Sequence, residues 1–354
     1  MLGNRIQRAR KALGLSLRDL GEKIALSHAA IKKYEDNEVT PSSDMLIKLA
    51  QALNVKVEYF FRPERFILEN IQYRKHADMP ERQLEEITAK MLDQIERRIE
   101  LENLFPDAPI QSFAIKSLPK TISDINEIEN IADEIRTQWN LGLDPLPDLI
   151  DLFEERGIKI FEIDNDQYPK IDGLYAEINK IPVIVIGNHR PGDRQRFTLA
   201  HELGHLLLDN RLAAQVDIEK YCDRFAGAFL LPKKSLINIL GTHRHSIEPR
   251  ELSLLKQEYG ISMTSILHRA EDAGIISNNL YRELRTEFNK RGWSKQDPGK
   301  PYPKEKTHIF EQMIFHALAE EYIGESKAAE LMNISLESFR SLRAMENPDA
   351  THHQ

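Results

Sequence analysis

The strongest constraint on the fold is a change of period between residues 158 and 186. Ile158-Lys159-Ile160-Phe161-Glu162-Ile163 alternates apolar and polar residues with period two, and Gly173-Leu174-Tyr175-Ala176 and Ile181-Pro182-Val183-Ile184-Val185-Ile186 read as further strands. On either side, apolar residues return at helical spacing. Helices are expected over about 122–139 and 145–156 before these strands, and over about 193–208 and 217–231 after them, the last stopped by Pro232. A small sheet inside an otherwise helical chain is an α+β, mainly helical, fold.

The first 60 residues contain no strand-like window. Ile6, Ala9 and Leu13 mark one apolar helix face, and Leu17, Leu20 and Ile24 another with Ser16 as N-cap. Ser27 opens a helix carrying Ile31 and Tyr34, Thr40-Pro41-Ser42-Ser43 interrupts, and the pattern resumes from Met45 to Leu53. This predicts about five short helices. Residues 1–64 hold 11 Lys/Arg against 8 Asp/Glu, although the whole chain carries a net charge of -8. A slightly basic end on an acidic chain suits one module that meets nucleic acid, and the total excludes a protein that coats it.

From Pro80 to about Phe105 the sequence is charged and helical with sparse apolar positions, which fits either a solvated connecting helix or a helix that pairs with a second copy. Phe105-Pro106-Asp107-Ala108-Pro109 marks a boundary. The single cysteine, Cys222, cannot form an internal disulfide, and there is no apolar run of membrane-spanning length and no signal-peptide start, so the expected compartment is the cytoplasm, with no membrane partner.

His201-Glu202-Leu203-Gly204-His205 is an HExxH motif in a proline-free helical run. Residues four apart share a helix face about 6 Å apart along the axis, so two imidazoles can converge on one zinc ion, with Glu202 turned to the same open side to hold water. A third ligand is needed. A histidine six residues past the second would serve, but that position is Arg211, and Asp209 lies too far along the same helix. Glu219, on the next helix, supplies the carboxylate. Asp223, one turn on, is placed to hydrogen-bond the other nitrogen of a ligating histidine.

The run Arg196-Phe197-Thr198-Leu199-Ala200-His201-Glu202-Leu203-Gly204-His205-Leu206-Leu207-Leu208, followed by Glu219-Lys220-Tyr221-Cys222-Asp223-Arg224-Phe225-Ala226-Gly227-Ala228-Phe229-Leu230-Leu231-Pro232, resembles the ImmA/IrrE metallopeptidase family, as does Asp172-Gly173-Leu174 upstream. The resemblance covers roughly 120–275. It implies a gluzincin-like site that cuts a cognate repressor, with zinc held by His201, His205 and Glu219 and Glu202 as the catalytic base. Cys222 departs from the small residue usual there. Tyr175 and Tyr221 are candidates for the oxyanion partner that peptide hydrolysis needs.

Residues 5–60 resemble the Xre/Cro-type helix-turn-helix family, through Leu17-Arg18-Asp19-Leu20-Gly21-Glu22-Lys23-Ile24-Ala25-Leu26-Ser27-His28-Ala29-Ala30-Ile31-Lys32-Lys33-Tyr34-Glu35-Asp36-Asn37 and then Pro41 and Leu46–Leu53. Gly21 is expected where the two helices approach, and the helix after Ser27 to lie in the major groove of a double-stranded operator. His28, Ala29, Lys32 and Lys33 then face bases or phosphates, and Arg18 and Asn37 the backbone. A helical protein-interaction domain of the same shape remains the alternative. A second helix–turn–helix pattern, Ser326 to Phe339, is read as a hairpin packed on the peptidase-like domain.

These readings give a helix-turn-helix domain at 1–64, a helical linker at 65–119, a zinc metallopeptidase-like domain at 120–275 and a helical C-terminal region at 276–354. The expected function is a homodimeric DNA-binding regulator with a zinc endopeptidase site acting on a repressor, itself or a partner. The alternative is an antitoxin-type regulator whose zinc domain senses a signal or binds a cognate toxin without cutting.

Overall fold

Serine caps set the register of the N-terminal helices in the computed structural model, which describes residues 2–62, 71–73, 80–105, 113–164, 167–168, 172–178, 180–294 and 296–345. Helix α1 is Leu2–Ala12, α2 Leu17–Ile24, α3 His28–Glu35 and α4 Ser43–Ala52, followed by a 3-10 turn at Val57–Phe61. The fifth expected helix is this tighter turn. Ser16, Ser27 and Ser42 each accept a hydrogen bond from the backbone N–H three residues on, and Asp19 completes a capping box with Ser16. Gly21 is required by the turn more than by the facing helix, since a Cβ there would lie 2.5 Å from the Leu26 carbonyl oxygen.

A three-residue strand β1 (Ile71–Tyr73) precedes the long helix α5 (Glu81–Glu102). Then come α6 (Glu127–Gln138), α7 (Leu149–Glu155), β2 (Lys159–Ile163), β3 (Gly173–Ile178), β4 (Ile181–Gly187), α8 (Gly192–Leu208), α9 (Ile218–Leu230), α10 (Lys233–Leu240), α11 (Pro249–Tyr259), α12 (Met263–Asp272), α13 (Asn278–Lys290), α14 (Ile309–Ala319), α15 (Glu325–Met332) and α16 (Leu336–Arg343). Helix α6 starts five residues later than the periodicity suggests, because Ile122 forms a bridge to Leu212 instead.

The chain groups into two units, one of residues 1–71, 75–108 and 310–354, the other of 72–74 and 109–309. In the first, Ile6, Leu20, Ile31 and Leu49 form the core of the N-terminal helices. Helix α5 is neither solvated nor in need of a second copy, since Ile87, Leu92, Ile95 and Leu101 are all fully buried. Arg5 and Arg8 of α1 converge on the buried carboxylate of Glu96, the latter at 2.6 Å. The C-terminal hairpin α15–α16, expected on the peptidase-like domain, lies in this first unit. Leu101 of α5 shares a core with Ala328, Ala329, Leu331 and Phe339, and Lys327 pairs with Glu100 at 2.8 Å.

In the second unit the sheet order is β1-β3-β4-β2. Strand β4 runs parallel to β2 (Lys159 opposite Val183) and antiparallel to β3 (Gly173 opposite Ile186). Helix α8 packs against β3 and β4, and α9 packs against α8. Among the described residues between α13 and α14 there is no helix, and this segment is pinned by buried ion pairs. Lys256 bridges Asp193 (2.9 Å) and Asp297 (3.0 Å), and Arg196 holds Glu305 at 2.6 Å. The region expected as one C-terminal segment, 276–354, is therefore shared between the two units at about residue 309.

Candidate metal centre

Two neighbouring helices carry the candidate ligands. The 3.6-residue repeat of α8 puts His201 and His205 on one face, with their Nε2 atoms 3.2 Å apart. From α9, Glu219 reaches His201 Nε2 at 3.2 Å and His205 Nε2 at 3.5 Å. One ligand atom from each of the three residues falls within 4.8 Å of the others. A tetrahedral ion with bonds of about 2.0–2.1 Å needs ligand–ligand edges of roughly 3.4 Å, so the donor spacing fits zinc.

The outer nitrogens are also committed. His201 Nδ1 lies 2.8 Å from Asp223 Oδ1, as the sequence suggests, and His205 Nδ1 lies 3.1 Å from Asp209 Oδ1. Sequence reasoning discounted Asp209 because it cannot share the ion. The missed signal was its spacing of four residues from His205, which suits a carboxylate behind the ring rather than in front of it. With both Nδ1 atoms hydrogen-bonded to carboxylates, both Nε2 atoms are left for the ion. Burial opposes a charge on His201, but the hydrogen bond with Asp223 and the negative charges of Glu202, Asp223 and Glu219 outweigh it and raise its proton affinity. The same field favours a cation.

Two close approaches fix the geometry. Gly204 faces Cys222 where α8 crosses α9, and a Cβ on Gly204 would stand 3.2 Å from Cys222 Cα and 3.4 Å from its sulfur. Cys222 is thus a spacer at the crossing that sets the ligand gap. It is fully buried, and burial pushes its thiol pKa up, which keeps it neutral. The second approach involves Glu202, which is 3% exposed and lies under the start of β3. A Cβ on Gly173 would come within 2.4 Å of Thr198 Cγ2 and 2.6 Å of Glu202 Oε1, so a side chain there would have to displace one or both. Beside it, Asp172 pairs with Arg190 at 2.7 Å and with Arg194.

The two tyrosines are placed otherwise. The Tyr221 hydroxyl donates to the Ser123 carbonyl at 2.8 Å, and Tyr175 belongs to the apolar core of its unit. Arg211, in the turn after α8, donates to the Leu207 carbonyl at the end of that helix.

In the first unit, α3 presents His28, Ala29, Lys32 and Lys33 to solvent, and Arg18 is exposed on α2. Lys32 is held by Asp36 at 2.6 Å. Glu35 turns inward to Arg10, at 2.6 Å and buried, so it takes no negative charge to the outer face. Asn37, exposed just past the end of α3, also ties the domain together. Its Oδ1 accepts the Gly3 N–H at 2.9 Å, and its backbone is left-handed at φ 59°.

A two-helix HExxH site beneath a small mixed sheet, joined in sequence to a four-helix domain with two serine-capped helices around a tight turn, defines the class. Residues 6–60 match the helix-turn-helix family and residues 153–271 the IrrE N-terminal-like domain family. The chain therefore carries a helix-turn-helix domain followed by an ImmA/IrrE-like domain. It is 37% identical over 60 residues to an uncharacterized HTH-type transcriptional regulator of Sinorhizobium medicae, and to one of Rhizobium meliloti at the same identity and length; each match covers 17% of this chain and 43% of the relative. A Mycobacterium tuberculosis transcriptional regulator of known structure overlaps 49% of this chain and 51% of its own, with 16% identity and a TM-score of 0.32. Among the described residues no helix is long and apolar enough to cross a membrane.

Proposed function

We propose that this chain is a DNA-binding transcriptional regulator whose ImmA/IrrE-like domain is a zinc-dependent endopeptidase that cleaves a repressor protein, its own chain or a partner. The observation that carries the reading is the convergence of His201 Nε2, His205 Nε2 and a Glu219 oxygen within 3.2–3.5 Å of one another. His201, His205 and Glu219 would hold the ion, which when bound polarises a peptide carbonyl and acidifies water. Asp223 and Asp209 hold the two rings in the tautomer that leaves Nε2 unprotonated. Glu202 takes the proton from the attacking water and returns it to the leaving amine, and its burial beneath β3 keeps bulk water from competing for it.

On the DNA side, α3 enters the major groove, with Lys32, Lys33, His28 and Ala29 toward bases and phosphates and Arg18 toward the backbone. Such domains occupy paired half-sites, so the operator-bound form is a homodimer, and the working compartment is the cytoplasm.

Replacing Glu202 with Gln tests the enzyme. Zinc content should be unchanged while cleavage of the target falls by at least about a hundredfold, the scale of a general base. Should every cellular effect persist in that variant, the non-proteolytic reading, a regulator that uses the ion to sense a signal or to dock a partner such as a toxin, takes its place.

A further inference from the structure

The hairpin α15–α16 repeats the geometry of α2–α3. Helix α2 has eight residues, closes on Ala25 in the left-handed conformation (φ 56°, ψ 44°), and is followed by an eight-residue α3 capped by Ser27. Helix α15 also has eight residues, closes on Asn333 (φ 58°, ψ 40°), and is followed by an eight-residue α16 capped by Ser335. The hydrogen bonds correspond as well. The Leu26 N–H donates to the Gly21 carbonyl at 2.8 Å, and the Ile334 N–H to the Ala329 carbonyl at 3.1 Å. Ser27 and Ser335 each accept from the N–H three residues on. Leu20, Gly21 and Ile31 are buried in the first hairpin, and Ala328, Ala329 and Phe339 are buried at the same places in the second.

Packing uses only one side of the second hairpin. Ala328, Ala329, Leu331 and Phe339 share a core with Leu101 of α5 and Ile314 of α14, and Arg97 of α5 donates to the Leu331 carbonyl at 2.9 Å. The side chains of Arg340 and Arg343 stay on the outer face, 62% and 53% exposed, both paired with Glu325 of α15. Surface pairs of this kind contribute little to stability, so packing does not account for the two arginines. Arg340 stands where α3 has Lys32, a cation likewise held by a neighbouring carboxylate, that of Asp36. Arg343 stands where α3 has Glu35, which turns inward to Arg10. The outer face of α16 thus carries two cations, as that of α3 does, beside one exposed acid of its own, Glu337.

We infer that α15–α16 is a second helix-turn-helix, and that α16 meets the phosphate backbone of double-stranded DNA through Arg340 and Arg343. The inference extends the DNA-binding reading of the first unit, to which both hairpins belong, so that one chain holds DNA at two places. A guanidinium offers phosphate a fork of N–H donors, and on contact the phosphate replaces Glu325 as the partner of both arginines. Phosphate contacts carry no base information. The second hairpin therefore adds affinity and leaves the choice of operator to α3.

The test measures binding of the full-length chain to a fluorescent mixed-sequence duplex of about 40 base pairs, roughly four helical turns, over a range of salt. Changing Arg340 and Arg343 together to Ala should flatten the dependence of log affinity on log salt by about 2. Changing both to Lys keeps the charge and should keep the slope. Glu325→Gln removes the carboxylate that competes with phosphate, and binding should tighten by up to about fivefold. The control is Lys233→Ala with Lys234→Ala, exposed at the start of α10 in the other unit, which removes the same charge and should leave the slope alone. An unchanged slope in the alanine variant overturns the inference, and so does an equal flattening in the control, the sign of a net-charge effect. Weaker binding by the Glu325 variant also overturns it, and that variant decides should the alanine one fail to fold. A slope that responds to loss of Lys32 and Lys33 but not of Arg340 and Arg343 would sink this inference alone. The reverse would sink the role of α3 alone, and a chain that never binds the duplex would sink both.

Discussion

Asp209 shows how much one side chain behind a ligand can decide. It is 5% exposed and sits 3.1 Å from His205 Nδ1, so it fixes the ring orientation that sends Nε2 toward His201 and Glu219. Replacement by Asn keeps the shape and removes the charge. Zinc affinity should fall about 10- to 100-fold, measured by competition with a chromophoric chelator; unchanged affinity would leave Asp209 a helix-end residue and nothing more. A comparable constraint holds at Gly173. Alanine there puts a methyl group into the space of the Thr198 methyl and the Glu202 carboxylate, so cleavage should fall while zinc content holds.

Helix α3 carries the DNA prediction. Lys32 is exposed yet tied to Asp36, and Lys33 stands beside it on the same helix. If both neutralise phosphates, changing both to Ala should weaken operator binding and flatten the dependence of log affinity on log salt by about 2. An unaltered slope would mean that neither meets the backbone. Helix α5 carries a stability prediction. Glu96 lies between Arg5 and Arg8, all three buried, and Glu96→Ala would strand two cations in the interior. The loss should be about 3–5 kcal/mol, seen as a lower denaturant midpoint for the DNA-binding unit with the zinc site intact. A shift under about 1 kcal/mol would show that water reaches the arginines.

At the scale of the whole molecule, the first unit is built from both ends of the sequence. Helix α5 buries Leu101 against the α14–α16 segment through Ile314, Ala317, Leu331 and Phe339. Deleting residues 310–354 should therefore lower the thermal midpoint of the helix-turn-helix unit by several degrees, since about 1 kcal/mol moves a domain of this size by roughly 2–4 °C. The zinc content of the other unit should be spared. An unchanged midpoint would mean that the N-terminal helices and α5 fold without the hairpin.

Local periodicity and spacing determined much of this protein by themselves. The serine-capped helices, strands β2 to β4 and the HExxH face of α8 with Asp209 one turn on were all legible, because each depends on residues within about a turn or a strand of one another. Tertiary structure alone decided what depends on residues far apart in sequence. It turned Glu35 inward to Arg10, spent the Tyr221 hydroxyl on Ser123, set the helix gap with Gly204 and Cys222, and laid β1 along β3. It also carried the C-terminal hairpin to α5, about 230 residues away in sequence. The physical reason is that a helix pattern states which face is apolar but not which of several apolar faces will cover it.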